Sequence, residues 1–165
     1  MACSVRRSHT VAGVSTLLGR IDCRRSGTTL VNTQNPGVIK LAPALLLLSA
    51  DHELTEFILG LVKPPWRLAR YRDSGRASHK VFAQPNVRIV ILDDQVVEEN
   101  DRGWLLTRIR KRIPSASLLY VAGNQSDDNE KRARGNGAHY YVSKPLSFER
   151  FGYVLQSFLR AQERA

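Results

Sequence analysis

Arg88-Ile89-Val90-Ile91-Leu92-Asp93-Asp94 is the stretch whose reading decides the fold. Its apolar residues run without interruption into two carboxylates. A run this short, β-branched and free of polar alternation, reads as a strand buried on both faces, as in a parallel sheet covered by helices. An acid at its carboxyl end falls where open α/β sheets place their chemistry, in the crevice beyond the strand tips. Taken alone, Asp93 or Asp94 reads as the cap of the following element. The neighbouring segments add the other reading.

Working outward, residues 44–48 form a second apolar run that ends in Ser49-Ala50-Asp51. Leu54, Phe57, Ile58, Leu61 and Val62 then recur at helical spacing, with Asp51 placed as N-cap and Lys63-Pro64-Pro65 as the stop. Residues 66–71 alternate in polarity and fit an outer strand. Residues 72–84 are polar and basic, a weak helix at best. After the central strand (87–92) comes an acidic loop, then a helix from about 103 to 112 with Leu105, Leu106, Ile109 and Ile113 inward. A fourth strand is expected at 117–121, a charged helix at 125–135 and a fifth strand at 139–142. A last helix is expected from 147 to about 161, carrying Phe151, Val154, Leu155 and Phe158. Strands alternating with helices through short loops specify a parallel sheet with right-handed crossovers. The expected architecture is a flavodoxin-like (βα)5 three-layer sandwich, a five-stranded sheet in the order 2-1-3-4-5.

The chain has 165 residues and a formal net charge of +10, enough length to bury a core without disulfides. Cys3 and Cys23 both lie in the N-terminal segment, so they cannot staple that core, and no His or Cys cluster has zinc-ligand spacing. The apolar run at 42–48 contains a proline and is far too short to span a bilayer. Arg6 and Arg7 give a basic start, but no apolar block of signal-peptide length follows. The expected compartment is the cytoplasm, with no membrane partner.

Residues 1–40 carry Arg6, Arg7, Arg20, Arg24, Arg25 and Lys40 against Asp22, with no sustained period. They are expected to form a poorly ordered basic arm preceding a domain at 41–165. Such an arm is either a functional basic tail or sequence upstream of a later start, for instance at Val38. Elsewhere the basic residues are scattered through several helices, and no aromatic-interleaved basic strip is visible along the sequence.

Two further pieces give the segment a family resemblance. Gly137-Ala138-His139-Tyr140-Tyr141-Val142-Ser143-Lys144-Pro145-Leu146-Ser147 joins the strand ending in Asp93 and the order and lengths of the elements. Together they resemble the receiver domain of bacterial two-component response regulators over nearly all of residues 41–165. The resemblance implies that Asp93 is the phosphoacceptor position and that Lys144 holds the phosphoryl oxygens. It also implies a cis bond before Pro145. Mg²⁺ would be held by an acidic pair after the first strand, by Asp93 and by the backbone carbonyl of Gln95. Metal is needed there because attacker and donor are both anionic. The partner it implies is a histidine kinase or a downstream regulator.

The departures bear on function. Counting back from Leu54 and Phe57, the acidic pair falls on Ser49 and Ala50, neither of which is acidic. Asp51 lies one residue further on, out of register if Leu54 faces the core. The switch hydroxyl falls on Ala122. The loop after Asp93 is longer than the family's, and its acids (Asp94, Glu98, Glu99, Asp101), expected on a flexible loop, are a poor source of octahedral geometry. A pair of unit charges 4 Å apart is worth roughly 4 kcal/mol at an effective dielectric of 20, so losing two carboxylates empties an ordinary Mg²⁺ site. The expectation is a degenerate receiver, a pseudo-receiver, in which Asp93 pairs with Lys144 without metal. The switch aromatic falls on Tyr141, which is either a switch or a fixed surface ring.

The chain ends just after the last helix, so a stand-alone protein-interaction module in a phosphorelay-related pathway is expected, not an enzyme. Its partner face would carry Tyr140, Tyr141 and Tyr153, exposed aromatics suiting an interface. Two rivals stand beside it: a true phosphoacceptor with unorthodox Mg²⁺ ligands including Asp51, and a nucleic-acid-associated regulator using the basic arm. Among weaker signals, Gly135-Asn136-Gly137 follows a helix and reads as a C-cap and turn, not a dinucleotide loop. Ser49 has no histidine partner to make it a nucleophile. His52, His79 and His139 read as surface or helix-terminal residues.

Overall fold

The computed structural model describes residues 41–73 and 83–164. The arm at 1–40, His79 and most of the weak helix proposed at 72–84 lie outside the described residues.

The uninterrupted apolar runs become the three central strands: β1 (Ala44–Leu48), β3 (Val87–Asp93) and β4 (Ser117–Ala122). β2 (Arg67–Tyr71) and β5 (Tyr140–Ser143) are half-buried edges. All pairings are parallel, in the order β2-β1-β3-β4-β5. Successive residues of a strand point to opposite faces, so each run feeds two cores. Leu45, Leu47, Ile89, Ile91, Leu119 and Val121 meet α1 (His52–Leu61) and α4 (Phe148–Glu163) through Leu54, Ile58, Phe151 and Leu155. Leu46, Leu48, Val90, Leu92 and Leu118 face the other way. They pack with Leu105, Leu106 and Ile109 of α2 (Glu99–Arg112) and Ala133 of α3 (Asp127–Gly135). Burial on both faces is why none of these strands alternates in polarity.

The boundaries carry corrections. α2 begins at Glu99, four residues before the expected start at Gly103. Glu99 and Asp101 lie in its first turn, where carboxylates complement the helix dipole, so what reads as acidic loop is the start of a helix. On α4, Leu159 is buried while Val154 and Phe158 are only partly so, and the helix continues to Glu163. β5 starts at Tyr140, because His139 joins β4 differently. Its backbone N–H donates to the Leu118 carbonyl, and its ring Nδ1 accepts the Leu118 N–H at 2.9 Å. Asp51, Ser126 and Ser147 cap α1, α3 and α4 through their side-chain oxygens. Asn136 is the C-cap of α3, and Gly137 follows with φ +96°.

Candidate functional site

The register aligns the carboxyl ends of the central strands. Leu92 pairs with Leu48, Asp93 with Val121 and Ala122 with Ser143. Asp93, Ser49 and Lys144 therefore meet at the crevice where the chain order reverses between β1 and β3.

Asp93 is fully buried and both of its oxygens are engaged. Oδ2 accepts the Ser49 hydroxyl at 2.7 Å and the Lys144 ammonium at 3.0 Å. Oδ1 accepts the Gln95 backbone N–H at 3.2 Å, so Asp93 also caps the short 3-10 turn Asp94–Val96. Capping residue and pocket carboxylate are the same side chain. Lys144 Nζ further donates to Asp51 Oδ2 at 2.9 Å and to the Gln95 side-chain Oε1 at 2.8 Å. The Lys144–Pro145 peptide is cis, as is Pro64–Pro65.

Asp51 joins the pocket without leaving its cap. Oδ1 takes the Leu54 N–H at 3.1 Å while Oδ2 faces the lysine, and Leu54 stays buried. The hydrogen bond from Lys144 holds the Asp51 carboxyl below its usual range, against a smaller opposing effect of burial. For Lys144, burial pulls the pKa down, but hydrogen bonds to Asp51 and Asp93 and their charges outweigh it, and the net shift is upward. Ser49 is also fully buried, and its oxygen accepts the Asp51 N–H at 3.0 Å. It is a donor to a carboxylate, fixed at both ends. Ala50 is exposed and has no side-chain polar atom.

The second carboxylate, Asp94, is where sequence reasoning was incomplete. It is 2% exposed and points away from the pocket, toward β4. Oδ1 accepts the Gly123 N–H at 2.7 Å; Oδ2 is 3.4 Å from the Tyr120 hydroxyl and 3.5 Å from the Arg102 guanidinium. Glu98 is the N-cap position of α2, Glu99 and Asp101 lie in its first turn, and Asp94 is tied to β4, so these acids sit on ordered elements and not on a flexible loop. Burial, then the Asp94 charge, pushes the Tyr120 hydroxyl up. The Tyr120 ring stacks on Tyr141, centroids 5.8 Å apart and planes 9° off parallel. Tyr141 is half-buried, and its hydroxyl reaches the Asn124 carbonyl at 3.5 Å. Beside them Ala122 is fully buried and offers its carbonyl to the Lys144 N–H at 2.8 Å.

The expected aromatic patch divides. Tyr141 packs against the α2/α3 core and Tyr140 against the α1/α4 core, because neighbours on a strand face opposite ways. Tyr153 stands 68% exposed on α4. Neither indole lines the Asp93 pocket. Trp66 precedes β2, at the other end of the sheet, bonded to Glu163 at 2.9 Å, and Trp104 is exposed on α2. Among the described residues no group of three or more His, Cys, Asp or Glu side chains is assembled for a metal, and no helix is long and apolar enough to cross a membrane.

No protein-family model matches the sequence, and no curated protein matches it. The fold, however, is that of solved receiver domains. A response regulator from Thermotoga maritima superposes with a TM-score of 0.62 at 14% identity, covering 73% of this chain and 99% of that one. An orphan response regulator of H. pylori gives 0.60 at 19% identity, covering 72% and 97%. The signal receiver domain of an HD domain-containing protein from Pseudomonas fluorescens Pf-5 gives 0.62 at 24% identity, covering 74% and 98%.

Proposed function

We propose that this chain is an atypical receiver in two-component or phosphorelay signal transduction, a cytoplasmic protein-interaction module in which Asp93 is phosphorylated slowly or not at all. The observation that carries this reading is the saturation of Asp93. Its buried carboxylate holds a hydroxyl, an ammonium and a backbone N–H. An attacking oxygen must shed such donors before it reaches phosphorus.

The residues present do not fit a magnesium ion. Mg²⁺ demands near-octahedral oxygen ligands at about 2.0–2.1 Å. Here the ammonium of Lys144 is the cation between Asp51, Asp93 and Gln95, and Ser49 aims a proton at Asp93 where the family places an acid. No cofactor is required for this reading. The switch is held as well. Ala122 has no hydroxyl to follow a phosphoryl group, and Tyr141 is already stacked on Tyr120. A population shift needs a ligand that contacts the two states differently.

One observation favours the rival phosphoacceptor reading: Asp51 shares Lys144 with Asp93, so a second carboxylate is at hand. Incubation with acetyl phosphate and millimolar Mg²⁺, followed by intact mass measurement, decides between them. Little or no adduct is expected. Rapid stoichiometric labelling lost in Asp93→Asn would overturn the proposal. The partner is a protein, a histidine kinase or a downstream regulator, met on the side carrying β5 and the exposed Tyr153.

A further inference from the structure

The cavities between α2 and α3 form one furrow on the face away from α1 and α4. Three hollows of about 280, 380 and 340 Å³ follow one another, and Asn136 lines all of them. Gly103 is shared by the first two, Thr107 and Lys111 by the last two. The Thr107 hydroxyl and Asn136 bridge the furrow at 3.1 Å, fixing its width.

Its lining is cationic. Arg108, Arg110, Lys111 and Arg132 contribute to its walls, with Glu99 and Arg102, the latter already paired with Asp94, at one end. Lys111 and Arg132 are exposed, and the Arg110 guanidinium donates to the Pro114 and Ala116 carbonyls. Within this wall Trp104 is 53% exposed, with the Arg108 guanidinium 4.8 Å from the ring centroid. A large apolar ring in water, backed by a guanidinium on one side, is a stacking platform rather than a core residue. Arg102 to Lys111 spans about 14 Å of helix.

We infer that the α2–α3 furrow is a docking surface for single-stranded nucleic acid, its phosphates tracking Lys111 and Arg132 and a base stacking on Trp104. Charge complementarity argues for a polyanion, and the exposed indole argues for one with planar rings. An acidic peptide uses the charges but has no need of the ring. The acids at the N-terminal ends of the helices (Glu99, Asp127 and Asp128) limit the strand to the C-terminal part of the furrow. None of these residues belongs to the basic arm, and the inference goes beyond the receiver reading.

The test is fluorescence anisotropy of labelled oligo-dT and oligo-U of about 12 nucleotides on the full-length protein between about 50 and 200 mM salt. Wild type is expected to bind with a steep salt slope and to quench Trp104, while buried Trp66 is unmoved. Trp104→Leu is expected to weaken binding by about fivefold to 150-fold and to abolish the quench. Lys111→Gln with Arg132→Gln is expected to flatten the salt slope by about 1.4; thermal melts confirm that each variant folds. The double charge variant keeps the test decisive if Trp104→Leu does not fold. Absence of wild-type binding overturns the inference. So does binding indifferent to these substitutions but lost when the arm is neutralised (Arg6, Arg7, Arg20, Arg24 and Arg25 each to Gln). Poly-glutamate binding more tightly than either oligonucleotide overturns it in favour of an acidic peptide.

Discussion

Asp94 Oδ1 accepts the backbone N–H of Gly123 at 2.7 Å, tying the turn after β3 to the turn after β4. A buried carboxylate thus holds them together, with Arg102 on its other oxygen. A Cβ on Gly123 would lie 3.2 Å from Asp94 Oδ1 and from Gln95 Cγ, so the close approach suits a glycine.

Removing that link should therefore be costly. Asp94→Asn keeps the size but weakens the bonds to Gly123 and Arg102, and a loss of about 1–3 kcal/mol is expected. Asp94→Ala, which also orphans the Gly123 N–H, is expected to cost about 3–5 kcal/mol. Urea unfolding measures both, and hydrogen exchange at Gly123 should accelerate in each.

Lys144 is the counter-ion of a fully buried carboxylate. Lys144→Met leaves Asp93 with a hydroxyl and an N–H alone, and destabilisation of about 3–5 kcal/mol is expected. Adding Asp93→Asn removes the uncompensated charge, so the double variant should be more stable than Lys144→Met alone. A double-mutant cycle should return a coupling of about 1–3 kcal/mol. Additive losses would mean that the 3.0 Å contact carries no interaction energy.

Stability should fall on the acid side of neutrality through His139. Burial, and secondarily the nearby Arg110, lowers its pKa from 6.5, and its Nδ1 must be unprotonated to accept the Leu118 N–H. A base with a depressed native pKa binds protons more readily when unfolded, so its contribution is complete above 6.5 and is lost as pH falls. Melting points between about pH 7 and 5 should decline in wild type and less in His139→Gln. The Asp51–Lys144 pair has a wider window. Its carboxylate side is lost below the ordinary 3.8 and its ammonium side only above 10.5.

Gly137 has φ +96°, and a Cβ there would come within 2.7 Å of Arg110 Cγ. Gly137→Ala is expected to cost about 1–2 kcal/mol from the left-handed backbone. Displacing Arg110 from the Pro114 and Ala116 carbonyls adds to that loss. Thermal melts check it. A neutral result would mean that the α3–β5 turn has relaxed to another conformation.

Strand count, order and the central cores were legible because periodicity is local. An unbroken apolar run implies cover on both faces, and Leu54, Ile58, Leu105 and Ile109 repeat at helical spacing whatever lies opposite. Asp93 and Lys144 were legible as strand-end residues in a resembling pattern. The role of Asp94 was not, because nothing local distinguishes it from its neighbour. Only folding turns one carboxylate to β1 and β5 and the next to β4.

The sequence by itself determined the alternation of strands and helices, the parallel sheet and the positions of Asp93 and Lys144 at its carboxyl edge. Those properties follow from burial and spacing along the chain. The tertiary structure alone decided that Asp51, legible as the cap of α1, also reaches Lys144, and that Ser49 donates to Asp93. It also decided that basic residues scattered along two helices share a furrow with Trp104. Side-chain direction across elements, which no stretch of sequence carries, is the reason.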